Sequence, residues 1–487
     1  LRSWLRCRRK AWLDRHGDVN QRRWTAHRNL LLDDQQRSFV ALLPHKPGHG
    51  VAACAAGEDG VVGLRLKGAG PSGERVEAHP PLLLRVAGQS RWGSFAYQPV
   101  LARQGRRITR EHQLPLALMG HLLEAYQASP VPELLVLGGG GRRLERERIR
   151  LTSGLRKQLS EALRKLKADL ERPQPPSLAA DRRKCTLCSW RESCSRVAAA
   201  DGHLSEVSGI GAKRRDMLQE LGIHGLNDLA SANPERLAVE MERFGEQHGD
   251  VARALVAQAM AQRDGLVERL DGTPALPELQ GAPGVLLYDI ESDPDARHDF
   301  LHGFLRLPRQ SDGRWDLAAA TYHPLLVMAE HGEQRSWLRL QRLLSRYDGW
   351  PILHYGETET LSLRRLAQRQ GASDAQLRRL KRRLVDVHAR IRSHWRLPLG
   401  SYGLKSVAAW RGFHWSQPGV DGARALLWWR QWLGEGPKRR GSRHGLAWIF
   451  QYNQDDCRAT WAVAEWLLKE DHLLKSGPAL DQPTAGR

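Results

Sequence analysis

The chain has 487 residues, more than one hydrophobic core usually organises, so its length favours about three domains. Hydrophobic residues make up 41% and charged residues 26%, ordinary values for a globular protein, and no apolar run approaches the ~20 residues that a membrane span needs. The formal charge of +21 is not ordinary and points to a polyanionic partner, with nucleic acid favoured over an anionic membrane face or a purely solubilising role.

The first eighteen residues, LRSWLRCRRKAWLDRHGD, are Arg-rich but contain Asp14 and Asp18 and lack an apolar h-region and a cleavage site, so they are expected to belong to the mature fold rather than to a transit peptide. From there to about Ala200, short apolar runs alternate with amphipathic segments, and LRKQLSEALRKLKADLERP reads as a basic helix ended by PQPP. Near the end of this stretch Cys185, Cys188 and Cys194 are spaced C-x2-C-x5-C, which lets three thiolates reach one metal centre if a fourth ligand joins them. Without a secretory signal, six cysteines argue for reduced thiols or metal ligands and for a cytoplasmic protein; Cys54 and Cys457 are expected in ordinary core or helix positions.

Residues 201–265 read as a small helical domain with Gly-containing turns, 266–284 as a Gly- and Pro-rich linker, and 285–475 as alternating strands and helices. The last residues, 476–487, are expected to be disordered. The third region opens with VLLYDIE, a buried central strand in which Asp289 and Glu291 point to one side because side chains alternate along a strand. Paired carboxylates suit Mg²⁺ or Mn²⁺ and two-metal phosphodiester hydrolysis, although a lone D-x-E is also what a solvated strand end looks like. A second apolar strand, PILHYGETETL, runs into Glu357 and Glu359, and Tyr452-Asn-Gln-Asp-Asp456 opens an amphipathic helix that sets Tyr452 and Asp456 on one face.

Acid-x-acid, then H-x-x-x-x-acid, then Y-x-x-x-D resembles the three motifs of the DEDD proofreading-exonuclease superfamily, in its tyrosine subtype. The resemblance implies that Asp289, Glu291, Glu359 and Asp456 hold two metal ions and that Tyr452 orients, or helps to deprotonate, the attacking water. The second motif departs from the pattern, with Glu359 for the expected Asp and Tyr355 after His354 for the expected Asn. Asp386 in LVDVHARI and the stretch SYGLKSVAAWRGFHW are also similar to bacterial ribonuclease-H-like domains, with Asp386 a supporting residue and Lys405 a phosphate contact; a strand-end acid and a solvated lysine are the plainer uses.

Cys7 with the three later cysteines resembles the RecB-like nucleases, in which a 4Fe-4S cluster staples the ends of a PD-(D/E)XK domain; Zn²⁺ is the alternative. Where that family carries an acid and then an acid-x-Lys, this chain has PPLLLRVAG and SFAYQPVLARQGRR, so that Pro81, Leu101 and Arg103 replace the catalytic groups. The domain is therefore expected to bind nucleic acid or support the fold without cleaving, with Arg103, Arg106, Arg107 and Arg110 as backbone contacts or simply a cationic face. Finally, VSGIGAKR followed by MLQELGIHGLNDL resembles a helix-hairpin-helix, implying a phosphate contact at Gly209, Gly211, Lys213 and Arg214.

The fold expected is thus α/β and multidomain: a PD-(D/E)XK-like α/β domain (1–200), a small α-helical hairpin domain, and a ribonuclease-H-like mixed-sheet α/β domain, as in bacterial RecB-like nucleases. The expected function is a metal-dependent 3′→5′ exonuclease in DNA repair or recombination, with DNA favoured over RNA and no membrane partner. The alternatives are a non-catalytic nucleic-acid-binding protein and an RNA-processing exonuclease.

Overall fold

The computed structural model describes residues 1–103, 107–138, 144–179, 182–294, 296, 298–328, 332–435 and 440–476. Two compact units emerge, one built on Leu1–Val197 and the other on Ala198–Asp293 with Arg297–Arg487, and both are mixed α/β. Among the described residues no helix is long and apolar enough to cross a membrane. The expected tail lies outside them, Ser476 apart.

The first unit opens with helices α1 (Arg2–Arg6) and α2 (Arg8–His16) and contains a six-stranded sheet of β1 (Gly48–His49), β2 (Gly60–Val62), β3 (Leu82–Ser90), β4 (Gly93–Arg103), β5 (Glu133–Gly138) and β6 (Glu145–Arg150), side by side in that order. Strands β3 and β4 form an antiparallel hairpin, whereas β4 and β5 are parallel and need the crossover helix α3 (Arg110–Gln127). Thr109 and His112 form a capping box that starts this helix. The apolar stretch of β4 is buried on both faces: Tyr97 and Leu101 pack with Leu114 and Leu118 of α3, while Val100 and Ala102 pack with Phe39 and Leu43 on the other side. The unit's ends are tied together, since Trp4 Nε1 donates to Asp169 at 2.7 Å, Arg9 to the Pro176 carbonyl at 2.9 Å and Trp190 Nε1 to Asp14 at 2.8 Å.

In the second unit, α4 (Ala212–Glu220), α5 (Leu226–Ala230), α6 (Pro234–Glu242) and α7 (Ala252–Asp264) enclose a small core of Val207, Leu218, Leu229, Leu237, Met241 and Leu255. This helical part is fastened to the C-terminal region of the same unit: Gln258 donates to the carbonyls of Leu397 and Leu399. The segment read as a linker is not free either. Glu268–Arg269 pairs with Trp395–Arg396, and the Asp471 carboxylate accepts the N–H groups of Ala275 and Leu276, both fully buried.

The second unit's main sheet has five strands, β7 (Gly284–Asp293), β8 (His298–Pro308), β9 (Thr321–Leu326), β10 (Ile352–His354) and β11 (Leu384–Asp386), in the order β9-β8-β7-β10-β11. The first three are antiparallel and the last three parallel, the mixed sheet expected of a ribonuclease-H-like domain. Helices α8 (Gly332–Arg346), α9 (Glu357–Arg369) and α10 (Asp374–Arg383) cover one face; α11 (Val387–His394), α12 (Leu404–Trp410) and the long α14 (Arg440–Ser476) cover the other, with α13 (Gly422–Glu435) between α12 and α14 in the chain. The Trp-rich stretch of α13 is core: Trp428, Trp429 and Trp432 are buried, and Trp429 stacks on Phe300 at 4.6 Å.

Candidate metal and nuclease site

Alternation along β7 decides where its acids go. Leu286 and Tyr288 pack toward α8, α9 and α10, and Val285 and Leu287 toward α14, so the odd-numbered Asp289 and Glu291 continue on the α14 side. There α14 presents Asp456. Ligand oxygens of Asp289, Glu291 and Asp456 all lie within 4.8 Å of one another, and among the described residues this is the one such group. Glu359, in the first turn of α9, is buried but stands outside it, with Oε2 lacking a hydrogen-bond partner among the described residues. Of the four acids expected to converge, the structure brings together three.

The electrostatics reflect the crowding of buried like charges. Burial, then the neighbouring Asp456 carboxylate, push Asp289 and Glu291 well above the usual carboxylate range. Burial lifts Asp456 to about 6 against the opposing hydrogen bond from Trp415 and the charge of Lys405, and lifts Glu359 to about 7. Tyr452 is buried, and burial followed by the Asp456 charge raises it far above the usual phenol range. Lys405 Nζ lies 5.2 Å from the centre of the Tyr452 ring and donates to the Val420 carbonyl at 2.5 Å.

Three further residues position the site, of which Trp415 closes the stretch SYGLKSVAAWRGFHW. Asn453 Nδ2 donates to Asp289 at 2.6 Å while its Oδ1 accepts from the Tyr322 hydroxyl at 2.8 Å. Gly303, opposite Asp289 on β8, makes room for this: a Cβ there would lie 1.7 Å from Asn453 Oδ1. A glycine inside the apolar run FLHGFLRLP was the available signal. Trp415 Nε1 donates to Asp456 at 2.7 Å, whereas the adjacent Asp455 is occupied by the backbone N–H and hydroxyl of Ser416. Asp386 is a supporting residue here, accepting the N–H groups of Gly356 and Ala389, and His354 bridges the Gly356 carbonyl and the Thr360 hydroxyl.

Elsewhere the predicted residues fare differently. Arg103 corrects the expectation of a backbone contact: its side chain is 2% exposed and bonds to Glu145 at 2.8 Å and Glu147 at 2.5 Å, so its guanidinium is used internally. Arg107 and Arg110 are exposed, and Arg106 lies outside the described residues. Leu101 is core, as its position on β4 requires. Gly209 adopts φ +91°, Gly211 caps α4 with open space beyond it, Lys213 is exposed, and Arg214 closes the turn by donating to the Gly209 carbonyl at 2.7 Å. Cys7, Cys185, Cys188 and Cys194 line one cavity of about 50 Å³, unbridged, and burial raises the three later thiols. Cys54 and Cys457 are buried in the two cores.

A five-stranded mixed sheet whose central strand ends in two carboxylates, joined by a third from a C-terminal helix, defines a nuclease-type site of the ribonuclease-H-like class, with nucleic acid as its partner class. Residues 286–468 match the model of the RNase_H superfamily, a span that includes every member of the acid cluster. No curated protein matches the chain.

Proposed function

We propose that residues 285–475 form a metal-dependent 3′→5′ exonuclease-type domain that hydrolyses phosphodiesters, acts on DNA in preference to RNA, and processes ends in DNA repair or recombination. The observation that carries this reading is the approach of Asp289, Glu291 and Asp456 within 4.8 Å, the last two buried and Asp289 half-buried, crowded to the point that their carboxyl groups resist ionisation. All-oxygen donors deficient in positive charge suit Mg²⁺ or Mn²⁺, which these three residues would hold, with Glu359 as an outer acid. When bound, the metal supplies the charge stabilisation that phosphodiester hydrolysis needs.

The chain's own groups do the rest. Asn453 and Trp415 hold the carboxylates of Asp289 and Asp456 in place. Tyr452, beside Asp456, orients the attacking water or helps to deprotonate it. Lys405, beside the Tyr452 ring, contacts the phosphate. A second reading, a non-catalytic nucleic-acid-binding protein, is favoured by one observation: Glu359 stands apart from the other three acids. An RNA-processing exonuclease would use the same chemistry on another sugar.

The N-terminal unit is read as a RecB-like PD-(D/E)XK domain that binds nucleic acid or supports the fold without cleaving, because Leu101 and Arg103 offer no carboxylate where a metal would be needed. Cys7, Cys185, Cys188 and Cys194 would hold a 4Fe-4S cluster that ties the unit's ends together. Four thiolates suit Zn²⁺ equally well by count, so Zn²⁺ is the alternative. The turn at Gly209 and Gly211, with Lys213, is read as a helix-hairpin-helix phosphate contact, Arg214 bracing it.

The test is Mn²⁺-dependent digestion of 3′- and 5′-labelled single-stranded DNA and RNA by the native protein and by Asp289→Ala and Asp456→Ala. Shortening from the 3′ end by native protein alone supports the reading and names the sugar. No digestion by native protein favours the binding-protein reading. Digestion that survives both substitutions assigns the activity to the N-terminal unit.

A further inference from the structure

Helix α8 buries Trp337, Leu340 and Leu343 against the sheet. Its outer side carries Arg335, Arg339, Arg342 and Arg346, at the i, i+4, i+7 and i+11 positions that make one stripe of a helix. All four are exposed, and none makes an ion pair among the described residues. The helix's acid, Glu333, is engaged by Arg369 of α9. Arg383 of α10 donates to the carbonyls of Leu344, Tyr347 and Trp350, which fastens the end of α10 to the end of α8. Helix α10 thereby adds exposed Arg378, Lys381 and Arg382 to the same region, while its Arg379 pairs with Asp348.

Strand register says where the row runs. Leu326, the last residue of β9, is level with Leu301 and so with Glu291, whereas Ile352, the first of β10, is level with Leu286. Helix α8 connects these two strands, so Arg335 stands near the carboxylate end of the sheet and Arg346 lies ~16 Å further along, toward its opposite end. Like charges one turn apart destabilise a helix, and no acid alternates with these to offset the repulsion.

We infer that the arginine row of α8, with the adjoining cations of α10, is a track for the phosphate backbone of a nucleic-acid strand, on the face of the sheet opposite the carboxylates. This rests on the nucleic-acid reading above and adds a second contact surface for the nucleic acid. A row ~16 Å long that begins at the level of the site spans several consecutive phosphates, and guanidinium groups match their charge and geometry. Such contacts hold any sequence alike.

The experiment measures binding of the full-length protein to a labelled single-stranded DNA 30-mer in EDTA, where nothing is cleaved, over a range of salt. The variant Arg335→Gln, Arg339→Gln, Arg342→Gln, Arg346→Gln changes exposed side chains to another good helix former, and its circular dichroism and melting should match native. A control removes as much charge elsewhere, by Arg148→Gln, Lys157→Gln, Arg164→Gln and Lys165→Gln, all exposed. The expected result is that the track variant alone binds about 10- to 100-fold more weakly and that its log-affinity against log-salt slope is shallower by roughly 2 to 3. Restoring lysine at the four positions should recover most of the slope. Equal loss in both variants, or a slope unchanged by the track substitutions, overturns the inference while leaving the nucleic-acid reading intact. Loss of poly-glutamate binding without loss of DNA binding would assign the row to an acidic protein instead. No DNA binding by native protein removes the nucleic-acid reading itself, and this inference with it.

Discussion

Each sheet has a strand that ends among charged side chains, and the two endings are built in opposite ways. At the end of β4, Arg103 reaches across Gly138 to two glutamates of β6; a Cβ on Gly138 would lie 2.9 Å from the guanidinium, so glycine keeps the path open. Toward the end of β7, Asp289 and Glu291 meet Asp456 with no ion pair among the described residues. The same strand supplies its own control. Asp293, further along β7, is matched by the buried Arg430 at 2.7 and 2.8 Å. A buried carboxylate answered by a guanidinium is architecture; three crowded together without one are a place for a cation.

The largest effect expected from this contrast is at the unpaired ending. Asp289→Asn and Asp456→Asn should each lower Mn²⁺-dependent digestion by about 10³-fold or more, because they remove a metal ligand without changing the shape of the site. The same substitutions should raise the melting temperature in EDTA by a few degrees, since each removes one of the crowded charges. Activity and metal-free stability would thus move in opposite directions, which an acid held by an ion pair could not do. Next in size is Asn453→Ala, expected to cost about 10- to 100-fold in Mn²⁺ affinity or turnover by freeing Asp289. Gly303→Ala should reproduce it, as the new methyl occupies the place of Asn453 Oδ1. If Gly303→Ala keeps full activity, Asn453 does not position the site.

How much of this was legible in the sequence depended on the range of each interaction. The pairing of Asp289 with Glu291 follows from the period of a strand, and that of Tyr452 with Asp456 from the period of a helix, so both could be read locally. Glu359 could be placed beyond the right strand but neither on its helix nor at the right distance, because a helix that starts beyond the strand end sets its acids by tertiary packing. Asn453 sat unread between two motif residues, and Trp415 and Gly303 act across long separations that no spacing reports. Arg103 was misread for the same reason. Its partners lie beyond a full helix and another strand, and a basic residue in a basic chain gives no hint that it is buried.

The paired ending should answer to stability alone. Arg103→Met keeps the length of the side chain and removes its charge, leaving Glu145 and Glu147 without the guanidinium between them. The expected cost is about 1–3 kcal/mol in the unfolding of the N-terminal unit, below the full penalty for breaking a buried pair because both glutamates are partly exposed. Urea denaturation checks it, and Mn²⁺-dependent digestion by the folded variant should equal native. A loss of digestion without a loss of stability would return Arg103 to the role of a nucleic-acid contact.

The smallest effect expected is a dependence of melting temperature on pH, and its sign separates the two endings. Asp456 and Glu359 have folded values of about 6 and about 7, above the 3.8 and 4.5 of unperturbed groups. Between about pH 4 and pH 7 the folded chain therefore holds protons that the unfolded chain has released, and its stability falls as pH rises through that window. The stabilisation is fully present below the unfolded values and gone above the folded ones. In EDTA the C-terminal unit should melt a few degrees lower at pH 7.5 than at pH 5 on this account. Mn²⁺ binds the deprotonated carboxylates, so the stabilisation it adds should grow over the same window and oppose the fall. Asp456→Asn and Glu359→Gln should each flatten the EDTA profile. Arg103→Met should leave it unchanged, because the acids that Arg103 holds lie at the other strand ending.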